Sequence, residues 1–163
     1  MSGQNENINN NLKNIQEEEH LITFQDIVKD KEIKTYLEMG DKYLGTLGYT
    51  NHSLLHAQRV AKIAHMILIS LNYDRRTAEL ARIAGYIHDI GNVINRADHA
   101  QSSAMMAFNI LTRMGMAPLE IAKVIGAIGN HDEGTGIPVN SLASALIIAD
   151  KTDVRRSRVK TRD

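Results

Sequence analysis

The sequence predicts an all-α protein with a single compact helical domain. Apolar residues make up 43% of the 163 residues and are mostly Ala, Ile and Leu, which favour packed helices. Aromatic residues are only 4% of the chain, which disfavours a sheet-rich sandwich. Apolar residues recur at helical spacing through most of the chain, and no run alternates as a half-buried strand would. The length lies within the range of about 100–200 residues that is typical of one domain.

Composition divides the chain into three parts. Residues 1–22 are polar and Asn-rich, and we expect them to form a flexible tail. Residues 23–150 carry the helical periodicity and form the predicted domain. Residues 151–163 contain six Lys and Arg against two Asp, with few apolar residues. We interpret this basic C-terminal segment as the start of an incomplete element.

The first predicted helices follow from apolar spacing and from residues that begin or end a helix. One or two short helices begin at Phe24 and end at Gly48. The clearest helix covers residues 51–71, where apolar residues recur at offsets of 3, 4 and 7. Asp74 is suited to N-cap the next helix, and Gly91 stands where its C-cap would be.

Three more helices are predicted toward the C-terminus. Asp98 would cap a helix that ends at Gly115. Pro118 is suited to the first turn of the following helix, because proline has no backbone N–H to leave unpaired there. Ser141 would N-cap the last helix, after a Gly-rich loop.

Composition also argues against several classes of function. The 19 Lys and Arg balance 19 Asp and Glu, unlike in a globally basic nucleic-acid-binding protein. The basic C-terminal segment has no aromatic residue to stack on bases, so nucleic-acid binding is disfavoured. Cysteine is absent, which excludes disulfides, thiolate zinc sites and a cysteine nucleophile. Without a signal peptide or an 18-residue apolar run, we expect a cytoplasmic protein that does not span a membrane.

Ionisable residues occupy the apolar faces of five predicted helices. Two histidines precede small or apolar residues at offsets of 4, 7 and 11, which places them on a buried stripe. Two other histidines and one aspartate follow apolar residues at offsets of 7, 4 and 3, and an aspartate directly follows one of these histidines. In chain order these residues are His56, His88, Asp89, His99, His131 and Asp150.

Spacing alone leaves two interpretations of this set open. A single inward histidine is more often a satisfied core residue than a ligand, and a lone aspartate is often a helix cap. Burying unpaired carboxylates, however, costs several kcal/mol each, a cost that a divalent metal would offset. The N and O donors would suit Fe, Mn, Co, Ni, Mg or Zn.

Three short motifs contain members of this set. The segment HAQRVA covers residues 56–61, GYIHDIG covers 85–91, and IIADK covers 147–151. Together they resemble the HD-domain superfamily of metal-dependent phosphohydrolases, whose motif is a histidine, a His-Asp pair and a distant aspartate on helices. The resemblance spans about residues 50–156. His99 and His131 stand where two-metal members carry extra histidines.

The resemblance implies both a cofactor and a reaction. It implies two divalent metal ions, with Asp89 as the carboxylate that bridges them. It implies hydrolysis of a phosphoester or phosphoanhydride bond in a small, nucleotide-like substrate by metal-activated water. Asp132, or its neighbour Glu133, is the residue expected to assist proton transfer to the leaving group. The implied metal ligands are His56, His88, Asp89, His99, His131 and Asp150.

Departures from the family pattern affect the expected substrate contacts. Many members carry a phosphate-contacting lysine at the position of Asn92, so other cations are needed here. The loop over residues 130–138 is similar to that of HD-GYP cyclic-dinucleotide phosphodiesterases but lacks their tyrosine and second histidine. The spacing from His131 to Asp150 is more similar to the HD-type symmetrical dinucleoside tetraphosphatases. The candidate phosphate-binding residues are Arg96, Lys151, Arg155 and Arg156.

A catalytically silent HD scaffold that binds a ligand or signals to a partner is the alternative function. Such a scaffold has no need to keep every implied ligand position filled, as they are here. His52 could share a helix face with His56, whereas His20 and His65 have no partner at ligand spacing. A homo-oligomer is compatible with the sequence.

Overall fold

The protein is described by a computed structural model for residues 21–49, 53–132, 134 and 136–153. Within these residues the chain forms seven α-helices and one 3₁₀ helix, and no strand, so the predicted all-α fold is confirmed. The helices are α1 (Phe24–Lys29), α2 (Lys31–Thr46), α3 (Leu54–Ser70), α4 (Arg75–Ile87), the 3₁₀ helix (Ile90–Val93), α5 (His99–Met114), α6 (Pro118–Gly129) and α7 (Ser141–Thr152).

Side-chain caps begin several of these helices. The side chain of Asp74 accepts a hydrogen bond from the backbone N–H of Thr77, as predicted for an N-cap of α4. The predicted cap of α7 is wrong by one residue. Asn140 has extended backbone and its side chain accepts from Ala143 N at 2.8 Å, while Ser141 is already helical.

Two predicted helix boundaries in the middle of the chain also differ from the structure. Asp98 precedes α5, but its backbone is left-handed at φ 54° and its side chain makes no cap hydrogen bond. Gly91 does not cap α4, because α4 ends at Ile87 and Gly91 lies inside the 3₁₀ helix.

Close packing explains the glycine at position 91. A Cβ atom on Gly91 would lie 2.5 Å from Ser103 N and 2.6 Å from His99 O, far inside normal contact distance. The backbone N–H of Gly91 donates to Ser103 Oγ at 2.8 Å. Gly91 therefore lets the 3₁₀ helix lie directly against the first turns of α5.

Helix α4 forms the centre of the apolar core. It packs against α1, α3, α6 and α7, and its apolar residues are almost completely buried. Gly85 lets α4 approach α3, since a Cβ at that position would lie 2.9 Å from Ala61 Cα. This close pairing brings the start of α3 beside the end of α4.

The folded part of the chain extends slightly beyond the predicted domain, residues 23–150, at both ends. Ile22 is buried, and its carbonyl accepts a hydrogen bond from Arg76 Nη1 at 2.9 Å. At the other end α7 continues past residue 150 to Thr152. Residues 1–20 of the predicted tail and 154–163 of the basic segment lie outside the described residues. In the described part of the chain, no helix has the length and apolar character needed to cross a membrane.

Replacing Gly91 by alanine tests the close contact between the 3₁₀ helix and α5. We expect Gly91→Ala to lower the free energy of unfolding by about 1–3 kcal/mol, because the added methyl group must displace backbone atoms of α5. Urea denaturation measures the change. Gly134→Ala is the matched control, since among the described residues no atom lies within 4 Å of its Cβ position. Equal stability of the two variants would contradict the packing argument.

Candidate metal centre

Ionisable side chains from five α-helices and the segments beside them meet at one place in the fold. Helices α3 and α5 contribute residues of their first turns, and α7 contributes a residue near its end. Helices α4 and α6 contribute residues that directly follow their last turns. The residues brought together are the predicted set of His56, His88, Asp89, His99, His131 and Asp150.

The two carboxylate oxygens of Asp89 face different pairs of histidines. Its Oδ2 lies 3.3 Å from His88 Nε2 and 3.7 Å from His56 Nε2. Its Oδ1 lies 3.4 Å from His99 Nε2 and 3.9 Å from His131 Nε2. Asp89 thus stands between two groups of imidazole nitrogen atoms, with one oxygen directed at each.

Asp150 adds a second carboxylate to one of these groups. Its Oδ1 lies 3.2 Å from His56 Nε2 and 3.7 Å from His88 Nε2. One ligand atom from each of these three residues lies within 4.8 Å of the others, close enough to hold one ion. The same holds for the set of His88, Asp89 and His131.

Burial makes a bound cation the natural complement of this cluster. All four histidines are at most 2% exposed, and Asp89 is 6% exposed. The Nε2 atom of His88 is buried and has no hydrogen-bond partner among the described residues. A buried imidazole nitrogen without a hydrogen-bond partner, beside carboxylates and without sulfur donors, fits a divalent metal with N and O ligands.

The histidine pKa values shift in opposite directions on the two sides of Asp89. Burial alone would lower the pKa of His88, but the carboxylates of Asp89 and Asp150 outweigh it and raise that pKa to about 10. Burial and the nearby charge of His88 lower the pKa of His131 to about 4. Burial also lowers the pKa of His99. Positive charge in the metal-free protein is therefore concentrated on His88, between the carboxylates.

Burial opposes ionisation of Asp150, but the histidines beside it prevail. The imidazoles of His56 and His88, whose Nε2 atoms lie 3.2 and 3.7 Å from Asp150 Oδ1, hold the pKa of Asp150 below its usual value, so this carboxylate stays ionised near neutral pH.

Backbone carbonyls orient three of the four imidazole rings. The Nδ1 atoms of His88, His99 and His131 lie 2.9, 3.1 and 2.6 Å from the carbonyl oxygens of residues 85, 96 and 128. A carbonyl can only accept, so each Nδ1 carries a proton and each Nε2 is the ring nitrogen that faces Asp89.

His56 is oriented by a residue that the sequence analysis missed. Its Nδ1 lies 2.8 Å from Oδ2 of Asp153, a buried residue directly after α7. Asp153 follows Asp150 by three residues, a spacing that puts both on one side of a helix. That spacing was the available signal for Asp153.

The remaining candidates have different positions around the cluster. Arg96 Nη1 lies 3.8 Å from Asp89 Oδ1 and 3.5 Å from Asn92 Oδ1. Asp132 lies at the rim, 39% exposed, with its Oδ1 4.0 Å from His99 Nε2. Lys151 is exposed and forms no ion pair with the described part of the cluster. The candidates Arg155 and Arg156, with His52 and Glu133, lie outside the described residues.

The family's lysine position has a different environment in this chain. Asn92 is 3% exposed, and its Nδ2 has no hydrogen-bond partner in the described residues. The structure thus places a short, neutral side chain there, and the nearest described cation is Arg96, four residues later.

Comparison with known proteins identifies relatives of this chain. An uncharacterized protein of Methanocaldococcus jannaschii is 26% identical over 159 residues, covering 83% of this chain and 60% of that protein. Ribonuclease Y of Opitutus terrae is 30% identical over 119 residues, covering 71% of this chain and 21% of that protein. This chain therefore corresponds to less than two thirds of the length of either curated relative.

A solved structure and a family model also match this chain. The crystal structure of a predicted HD superfamily hydrolase from an uncultured Thermotogales bacterium matches with a TM-score of 0.59 and 28% identity. The match covers 76% of this chain and 67% of that one. The HD domain model matches residues 54–155, a range that contains the whole histidine and aspartate cluster. This chain belongs to the HD-domain superfamily.

Proposed function

We propose that this protein is a metal-dependent phosphohydrolase that cleaves a phosphoester or phosphoanhydride bond in a small, nucleotide-like substrate. Membership of the HD-domain superfamily supports hydrolase activity with a divalent metal. The observation that carries the proposal is the position of Asp89, with one carboxylate oxygen directed at each of two histidine groups. That arrangement suits a carboxylate that bridges two ions.

The proposed ligands divide into two sets that share Asp89. His56, His88 and Asp150 would hold one ion together with Asp89 Oδ2. His99 and His131 would hold the second together with Asp89 Oδ1. The donor set is compatible with Fe, Mn, Co, Ni, Mg or Zn, so metal identity depends on availability as much as on the ligands.

Two such ions would lower the pKa of a water molecule and stabilise charge on a phosphoryl group. The donor side chains are buried, and electrostatic interactions between buried groups are stronger than in bulk water. The Arg96 guanidinium, 3.8 Å from Asp89, would bind a phosphate oxygen of the substrate. Asp132 at the exposed rim would pass a proton to the leaving group.

The proposed substrate class rests on Arg96 beside the cluster and on the basic residues that follow Asp150 in the sequence. Arg96 and Lys151, together with Arg155 and Arg156, which lie outside the described residues, would contact a substrate with more than one phosphate or with a charged nucleotide moiety. The relative named ribonuclease Y makes short RNA a necessary competitor in any substrate panel. A silent scaffold is disfavoured because the cluster retains a full set of donor side chains.

Replacing the shared carboxylate tests the site and the reaction together. We expect Asp89→Asn to reduce metal-dependent hydrolysis at least about 100-fold and to lower bound metal, because one charge and one ligand oxygen are lost. The measurements are elemental analysis and turnover of aryl phosphates, nucleotides, dinucleoside polyphosphates, cyclic dinucleotides and short RNA.

The control for this experiment is Asp74→Asn, which removes the same charge on the surface and keeps an N-cap. Wild-type protein that binds no divalent metal would refute the proposal. Metal binding without turnover of any substrate would favour the silent scaffold. Unchanged activity in Asp89→Asn would refute the assignment of the site.

The His88 pKa predicts how metal affinity depends on pH. The raised pKa of about 10 means that His88 is protonated at neutral pH, whereas a ligand nitrogen must be neutral. Each ion bound at this histidine should therefore release about one proton, and apparent affinity should rise about tenfold per pH unit from pH 6 to 9. Calorimetry of Mn²⁺ binding in buffers of different ionisation enthalpy measures the proton release. Affinity that is constant over this range would contradict the prediction.

Arg96 is expected to act on substrate binding more than on metal binding. We expect Arg96→Gln to raise KM about tenfold or more while metal content stays close to wild type, since a charged hydrogen bond to phosphate is lost. Steady-state kinetics on the best substrate measure this change. The exposed Arg75→Gln at the start of α4 is the control. An unchanged KM in Arg96→Gln would exclude a phosphate contact.

A further inference from the structure

His56 differs from the other three histidines in the kind of acceptor that faces its Nδ1 atom. The other three bond to a backbone carbonyl three residues earlier, near a helix end or in a loop. His56 lies in the first turn of α3, and the carbonyl three residues before it, on Ser53, accepts the helical hydrogen bond of Ala57 at 3.1 Å. The acceptor that the structure places beside His56 Nδ1 is instead a side chain from another part of the chain.

Asp153 supplies that acceptor from the far end of the folded domain. Its Oδ2 lies 2.8 Å from His56 Nδ1, although the two residues are 97 positions apart in the sequence. The side chain of Asp153 is 1% exposed, so water does not compete for this contact. The backbone N–H of Asp153 donates to Asp150 O at 3.2 Å, which fixes its place at the end of α7.

We infer that Asp153 is a positioning residue for the metal centre. By accepting a hydrogen bond from His56 Nδ1, it fixes the tautomer whose Nε2 lone pair faces Asp89 and Asp150. Its negative charge also makes the imidazole a more basic ligand. This inference rests on the proposed function, because it requires His56 to be a ligand.

The contact makes the two halves of the centre depend on different parts of the fold. His99 and His131 are oriented by carbonyls of their own segments. His56 is oriented only once α7 has docked against the start of α3. Loss of Asp153 should therefore weaken ion binding beside His56 and leave binding beside His99 and His131 close to wild type.

Two substitutions separate the roles of geometry and charge at position 153. Asp153→Asn keeps an oxygen that can accept from Nδ1 but removes the charge, whereas Asp153→Ala removes both. In Mn²⁺ titrations of metal-stripped protein, we expect the dissociation constant at the His56 side to rise about tenfold for Asn and up to about 100-fold for Ala. Asp74→Asn, which removes a surface charge, should bind Mn²⁺ like wild type.

A second readout does not depend on metal. In ¹⁵N-labelled metal-free protein, NMR should detect a protected Nδ1 proton on His56, assigned with His56→Gln, that Asp153→Ala loses. Thermal unfolding shows which variants are folded. If Asp153→Ala does not fold, the test relies on the comparison of Asp153→Asn with wild type.

Each outcome bears on one of the two proposals. Wild-type protein that binds no Mn²⁺ would refute the proposed function. It would also refute a role of Asp153 in positioning a metal ligand, since His56 would then not be a ligand. If the folded Asn and Ala variants bind Mn²⁺ as tightly as wild type, the positioning role of Asp153 is refuted, whereas the proposed function is not. Weaker binding confined to one of two binding steps, with loss of the Nδ1 signal in the Ala variant, would support it.

Discussion

The burial of the Asp89 carboxylate is the constraint on which the rest of the site depends. An ionised carboxylate that is only 6% exposed is strongly unfavourable unless positive charge surrounds it. In the metal-free protein that charge comes from the proton on His88, whose pKa Asp89 and Asp150 raise to about 10, and from the guanidinium of Arg96. A divalent cation would take over the same role more effectively, which is why the same geometry serves both states.

Helix ends supply the carbonyl groups that orient histidines toward the buried Asp89 carboxylate. The last carbonyls of a helix have no partner within it, so a histidine placed just after them can bond by Nδ1 and present Nε2 inward. His88 after α4 and His131 after α6 both follow this rule. Three of the four histidines are thus oriented by main-chain atoms, whereas His56 is oriented by the side chain of Asp153.

Much of this arrangement could be predicted from the sequence, because the ligands lie on apolar stripes. The offsets between His56 and the apolar residues after it placed that histidine on a buried face, and the structure confirms its burial. Local sequence signals gave the wrong role, or no role, to residues whose contacts come from tertiary packing. Gly91 has the appearance of a C-cap, but a close backbone approach to Ser103 requires it. Asp153 was missed because its partner lies 97 positions away, a distance that no periodicity reports.

The contact between Gly91 and Ser103 has a consequence for how the centre is assembled. Asp89 immediately precedes the 3₁₀ helix, and His99 is the first residue of α5. The hydrogen bond from Gly91 N to Ser103 Oγ joins these two elements within a few residues of both side chains. The spacing between Asp89 and His99 is therefore set in part by a contact between protein groups that are not among the proposed metal ligands. Such preorganisation reduces the conformational entropy lost on binding and favours ions whose size matches the spacing already built.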